Sequence, residues 1–294
     1  MKTKHFAFAA LALSLAACNN DNENLNNDGP VAAKFTADIY ESVSTRVNQN
    51  GTDWTDGDCI GITGAGFINI PYVRESGQFV PEDKTIYFND TETKTFNAYY
   101  PYQSDGGTVT VNTAADKQGP GIDFLFASGA KGSTRSPEVS FTDKTAKGGE
   151  DNSFHHRMSQ ITLTFEAGDG VNFSVVKPER YTLDGLLLTG TFNTADGIAT
   201  ADNGLQTGEL TMNLADGNLT SSIILFPQTV ASLPLVVNYK GQEYHATLTM
   251  PDGALLAGNN YTYTVKVRNK VLEVSEATIA KWNDIDGGDV GADL

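Results

Sequence analysis

Apolar and polar residues alternate with period two along most of this chain, and Gly, Asn, Asp or Pro breaks the alternation roughly every 8–12 residues. Helical spacing of apolar residues is almost absent. The pattern predicts an all-β chain of short strands that bury one face and leave the other wet. The cleanest alternation is Ile161-Thr162-Leu163-Thr164-Phe165 and Tyr261-Thr262-Tyr263-Thr264-Val265-Lys266-Val267. In the first half, strands are predicted over 33–40, 59–63, 67–72, 85–88, 94–99, 108–112, 124–128 and 138–141. In the second half they are predicted over 160–166, 172–176, 181–188, 190–193, 209–213, 222–226, 235–239, 243–250, 261–268 and 273–279. Residues 143–152 carry Lys, Gly, Asp and Glu without an apolar run. A domain boundary is therefore expected near residue 150, giving units 31–150 and 151–294, each with enough strands for one β-sandwich.

The first residues follow a different rule. Lys2 and Lys4 precede an apolar run of 12 residues, Phe6 to Ala17, which ends Leu15-Ala16-Ala17-Cys18. A basic start, a short apolar stretch and small residues before a cut describe a signal peptide over 1–17. The run is short for the ~30 Å of hydrocarbon that a spanning helix must cross. Its last four residues match the bacterial lipobox, so Cys18 is the expected lipidation site and mature N-terminus, and two or three acyl chains there make a stable membrane anchor. Residues 18–30 are Asn- and Asp-rich with almost no apolar side chain, which predicts an acidic flexible tether.

Composition then removes several function classes. The chain has 20 basic and 36 acidic side chains, a formal charge of −16. Loss of 1–17 takes two lysines and no acid, making the balance more negative still. Phosphate backbones repel such a surface, so no nucleic-acid partner is expected. With Cys18 committed to lipid, Cys59 has no intrachain disulfide partner and reads as a small core residue in Cys59-Ile60-Gly61-Ile62.

No enzyme, cofactor or metal site is expected. Nucleophile-elbow, zinc-helix and phosphate-loop patterns are absent from the sequence. His155 and His156 are adjacent, so on a strand they point to opposite faces. The acidic clusters 53–58 and 284–289 hint at calcium but lack the full twelve-residue loop with its terminal Glu, and Asp-Gly turns explain them better. Asn89, Asn172, Asn218 and Asn260 each open an Asn-x-Ser/Thr triplet, expected by chance. Trp54, Tyr99, Tyr100, Tyr102 and Trp282 would suit a sugar-stacking platform only if exposed and coplanar. That alternative makes the chain a surface-exposed carbohydrate-binding lipoprotein.

An ordered series of segments carries a resemblance. Arg46 precedes Trp54-Thr55-Asp56-Gly57-Asp58-Cys59-Ile60-Gly61-Ile62. Phe96-Asn97-Ala98-Tyr99-Tyr100-Pro101-Tyr102, Asp123-Phe124-Leu125-Phe126-Ala127 and His156-Arg157-Met158-Ser159-Gln160-Ile161 follow. Leu256-Ala257-Gly258-Asn259-Asn260-Tyr261 and Ile279-Ala280-Lys281-Trp282 close it. Together they resemble the fimbrillin family, the subunits of type V pili and their relatives. The resemblance implies two tandem transthyretin-like (Ig-like) β-sandwiches. It also implies a lipoprotein of the outer membrane, surface-exposed, that joins a fimbrium when processed and serves adhesion. Other pilus subunits would be its partners, through proteolytic trimming after an arginine and head-to-tail strand exchange. Arg46 and Val47 flank the candidate cut, in a polar stretch running into a Gly/Asn-rich turn. The segment 273–279 is the best candidate for a donor strand.

Overall fold

In a computed structural model of the chain, residues 29–40, 53–214, 217–269 and 271–281 are described. The two most regular segments form the centre of one sandwich. Ser159–Ala167 and Asn259–Arg268 run parallel, with Ile161 opposite Tyr261, Leu163 opposite Tyr263 and Phe165 opposite Val265. All six side chains are buried. Thr220–Leu225 pairs antiparallel on one side, and Val271–Val274 and Thr278–Lys281 share the other edge. The facing sheet is ordered Gly208–Asn213, Arg180–Leu186, Ser232–Tyr239, Gln242–Thr249. Its inward residues Tyr181, Leu183, Leu235 and Val237 complete one core. Each such side chain, taken out of water, contributes about 1.5–3 kcal/mol.

The first half is built on an eight-stranded sheet, in the order Glu138–Phe141, Lys34–Ala37, Gln78–Pro81, Phe67–Glu75, Cys59–Gly64, Lys94–Tyr100, Leu125–Gly132, His155–His156. Val31–Ala32 pairs with Tyr87–Phe88 beside it. The core here is aromatic: Phe35, Tyr72, Phe79, Phe88, Phe96, Phe141 and Phe154 are buried together. Tyr72 keeps its hydroxyl inside because the oxygen accepts the Ile86 N–H at 2.9 Å. A third sheet mixes the halves: Thr108–Asn112 pairs with Thr189–Asn193, which pairs with Ile198–Ala201. It covers a third core of Tyr99, Val111, Phe124 and Phe126 with Met158, Phe192, Ile224 and Phe226. The helical turns described are single 3₁₀ turns of three residues. The molecule is all-β, as the alternation predicts.

Two predicted strands differ. Residues 172–176 form a turn, because the Asn172 side chain accepts the Ser174 N–H at 2.9 Å and its carbonyl accepts Val175 N–H at 3.3 Å. Asn satisfies its own backbone this way and so favours turns over ladders. Residues 273–279 are split. Val274 lies opposite Val265, yet Thr278 lies opposite Thr262, so three residues face two. This one-residue bulge is held by Ser275, whose Oγ accepts the Thr264 N–H at 2.9 Å while its own N–H donates to the Thr264 carbonyl. Gln78–Pro81 and Ile198–Ala201 are strands that the sequence pattern missed; each is four residues long.

Candidate functional site

Three places in this fold are candidates for function: a strand slot, an exposed edge and a cavity between the halves. The slot is filled by Lys34–Ala37 and its flanks. Ala33, Phe35, Ala37 and Ile39 point inward and are buried, alternating with Lys34, Thr36 and Asp38, which are exposed. The strand runs parallel to Glu138–Phe141 over four residue pairs, but meets Gln78–Pro81 only at Phe35 and Phe79. Two bonds extend the first contact, Lys34 N–H to the Pro137 carbonyl and Asp38 N–H to Phe141, and Tyr40 N–H bonds to Phe154 on a further segment. Phe35 meets Tyr72 at 4.8 Å, Phe96 at 5.5 Å and Phe141 at 6.3 Å between ring centres. This strand precedes Arg46 and Val47, which lie outside the described residues, as do Cys18, Trp282, residues 1–17 and the cluster 284–289.

The exposed edge is Val271–Val274 with Thr278–Lys281. Leu272 is its buried apolar anchor, whereas Val271 and Ile279 are exposed. Because of the bulge at Ser275, the faces of 273–279 do not alternate continuously as a single strand would.

The cavity, about 440 Å³, brings together residues far apart in sequence: Tyr40, Asp151, His155, Arg157, Gly258 and Lys281 are in its lining. His155 and His156 do point to opposite sides. His155 stacks on Tyr40 at 4.4 Å and its Nε2 meets Asp151 Oδ2 at 2.8 Å. His156 is buried, with Nδ1 2.7 Å from Asp123 Oδ1. Burial works to raise the Asp151 pKa, but bonds from the Ser153 N–H, the Ser153 hydroxyl and His155 outweigh it, so the carboxyl is held below the ordinary range. Gly258 has φ +71°, and a Cβ there would sit 3.0 Å from the His156 carbonyl oxygen. Its N–H donates to the Met158 carbonyl at 2.7 Å, and Ser159 Oγ donates to the Leu256 carbonyl at 2.8 Å. The segments 156–161 and 256–261, singled out separately in the sequence, are thus stitched to one another.

The other sequence candidates have structural explanations. Cys59 is half-buried; burial first, and the nearby Glu82 charge second, push its thiol up to about 11, so it stays protonated at neutral pH. Asp58 accepts the Thr55 N–H at 2.7 Å and the Tyr100 hydroxyl at 3.1 Å, and Asp56 accepts the Ser76 N–H at 3.1 Å. Those carboxylates brace a turn. No group of three or more His, Cys, Asp or Glu side chains is placed to hold a metal among the described residues. The Trp54 ring packs edge-on against Phe79, Tyr100 and Phe154, and Tyr99 is buried with its hydroxyl on Asn69 Oδ1 at 2.6 Å, so neither offers an open stacking face. His245 is exposed.

Comparison with known proteins agrees with this architecture. A candidate cell adhesion protein of Bacteroides ovatus is 29% identical, with a TM-score of 0.71 over 88% of this chain and 100% of its own. Two others share the fold. A candidate cell adhesion protein of Bacteroides uniformis is 24% identical (TM-score 0.68, 87% and 98% covered). The C-terminally truncated tip fimbrial protein Mfa3 of Porphyromonas gingivalis is 10% identical (TM-score 0.50, 86% and 100% covered). A search of curated proteins finds no match by sequence. The family model described as fimbrillin-like matches residues 45–282, taking in the second sandwich, the mixed sheet, the stitched segments and the first half apart from its strands before residue 45. The chain is therefore a member of the fimbrillin-like family.

Proposed function

We propose that this protein is a structural subunit of a cell-surface pilus, or a lipoprotein accessory to one, serving adhesion without catalysis. Family membership supports a pilus-related role at the cell surface. The finer reading runs as follows. Signal residues 1–17 are removed, Cys18 carries the lipid in the outer membrane, and residues 18–30 tether units 31–150 and 151–294. A cut between Arg46 and Val47 then releases the chain and frees the slot of Lys34–Ala37 for a strand from another subunit.

One observation carries it. The strand that would be lost supplies four alternating buried side chains, yet it precedes the cut and its ladder with Gln78–Pro81 has a single register pair. Removing it uncovers an aromatic groove flanked by unpaired N–H and C=O groups, which an extended strand from another chain can fill. Such head-to-tail contacts propagate into a filament. Residues 273–279 suit the donor role because they lie at a sheet edge and bury little.

Limited trypsin on the folded protein should give an early fragment beginning at Val47, which then forms high-mass species resistant to mild denaturation. If Arg46→Ala leaves cleavage and assembly unchanged, the trigger is wrong. Fatty-acid labelling that is equal in wild type and Cys18→Ala would separately reject the anchor.

A further inference from the structure

Arg157 has an unusual position in the cavity between the halves. It is held in place by its N–H bond to the Phe124 carbonyl at 2.8 Å, and its guanidinium lies 5.4 Å over the Phe126 ring. Nη2 reaches the Phe126 carbonyl only at 3.5 Å, and Nε is enclosed without a hydrogen-bond partner. It forms no ion pair among the described residues. A half-buried guanidinium left in this state is costly, because water has been removed from it and no carboxylate has replaced the water. Burial accordingly lowers its pKa.

The acids near it are already engaged. Asp151 receives His155 and both donors of Ser153, and Asp123 receives His156. Lys281 adds a second cationic side chain to the lining, and the stacked Tyr40–His155 pair adds an aromatic wall. The volume, about 440 Å³, is within the ~300–1,000 Å³ of small-ligand pockets.

We propose that this cavity binds a small carboxylate ligand of the acidic-sugar class, with Arg157 as the anchoring residue. The terminal N–H groups of a guanidinium can take both oxygens of a carboxylate, in the paired geometry that makes such contacts strong. The aromatic wall suits the C–H face of a pyranose ring. The site takes Tyr40 from the flank of the strand slot and Lys281 from the candidate donor edge, so it belongs to the uncut, unassembled chain.

The test is calorimetric titration of the whole chain with D-glucuronate, D-glucose and acetate. Glucuronate should bind saturably and at least tenfold more tightly than either of the others. Arg157→Gln should weaken it at least tenfold while circular dichroism keeps the β signal, and Arg157→Lys should recover part of the loss. Glucose binding as well as glucuronate would overturn the anchor, and acetate binding as well would overturn the sugar class. Absence of saturable glucuronate binding by wild type would overturn the proposal, and that comparison stands even if Arg157→Gln fails to fold.

Discussion

Truncating Phe35 tests whether the strand before the candidate cut truly completes the first core. The ring is 2% exposed and touches three other aromatic rings at 4.8, 5.5 and 6.3 Å. Phe35→Ala removes the transfer energy of a buried ring and leaves a cavity among Tyr72, Phe96 and Phe141, which are held from opposite strands and cannot all collapse inward. The expected loss is about 4 kcal/mol, from the ~3–5 kcal/mol typical of buried Phe→Ala changes. With a urea slope of roughly 2 kcal/mol/M, the midpoint of the first core's transition should fall by about 2 M. Trp54 is a local reporter, since it packs on Phe79 and Phe154 of that core. Its fluorescence is best read in a Trp282→Phe background. Thr36→Ala, on the exposed face of the same strand, should change stability by under about 0.5 kcal/mol. If Phe35→Ala shifts the midpoint no more than Thr36→Ala does, the strand does not hold the core, and the slot argument falls with it.

Two further outcomes follow from the junction. Gly258→Ala forces a side chain into a left-handed conformation against the His156 carbonyl, costing about 1–2 kcal/mol, and should lower the melting temperature by a few degrees; an unchanged melt would mean that the stitch between 156–161 and 256–261 gives way freely. Asp151 has a folded-state pKa below its unfolded one, so its stabilisation is present above about pH 4 and is lost as pH falls through the folded value. The stability gap between wild type and Asp151→Asn should therefore narrow as pH falls below about 4, and a gap that stays constant in urea titrations on acidification would refute the assignment.

Period-two alternation made the long central strands legible. Tyr261 to Val267 and Ile161 to Phe165 read directly as half-buried strands, because each inward side chain is apolar and each outward one polar. It failed where a single side chain competes with the ladder: Asn172 turns its own segment, and Ser275 replaces one residue's pairing and shifts the register. Four-residue strands such as Gln78–Pro81 present too little alternation to separate from a turn. The cavity was not legible at all, since its walls come from residues 40, 151, 155–157, 257–258 and 281, and no spacing rule links them. What the sequence did offer was His156-Arg157-Met158 and Leu256-Ala257-Gly258 as separate landmarks. Their meeting is a property of the parallel pairing between Ser159–Ala167 and Asn259–Arg268.

The mixed sheet imposes a timetable on a chain synthesised from its N-terminus. Tyr99, Val111, Phe124 and Phe126 are finished early, but their covering partners Phe192, Ile224 and Phe226 come roughly a hundred residues later. Until then an aromatic face is left bare, the kind of surface that gathers chaperones or sticks to its neighbours. A ribosome stalled, or a gene truncated, just past residue 150 should consequently release a sticky product that binds hydrophobic dyes, even though the core around Phe35 and Tyr72 has all but one of its members in hand.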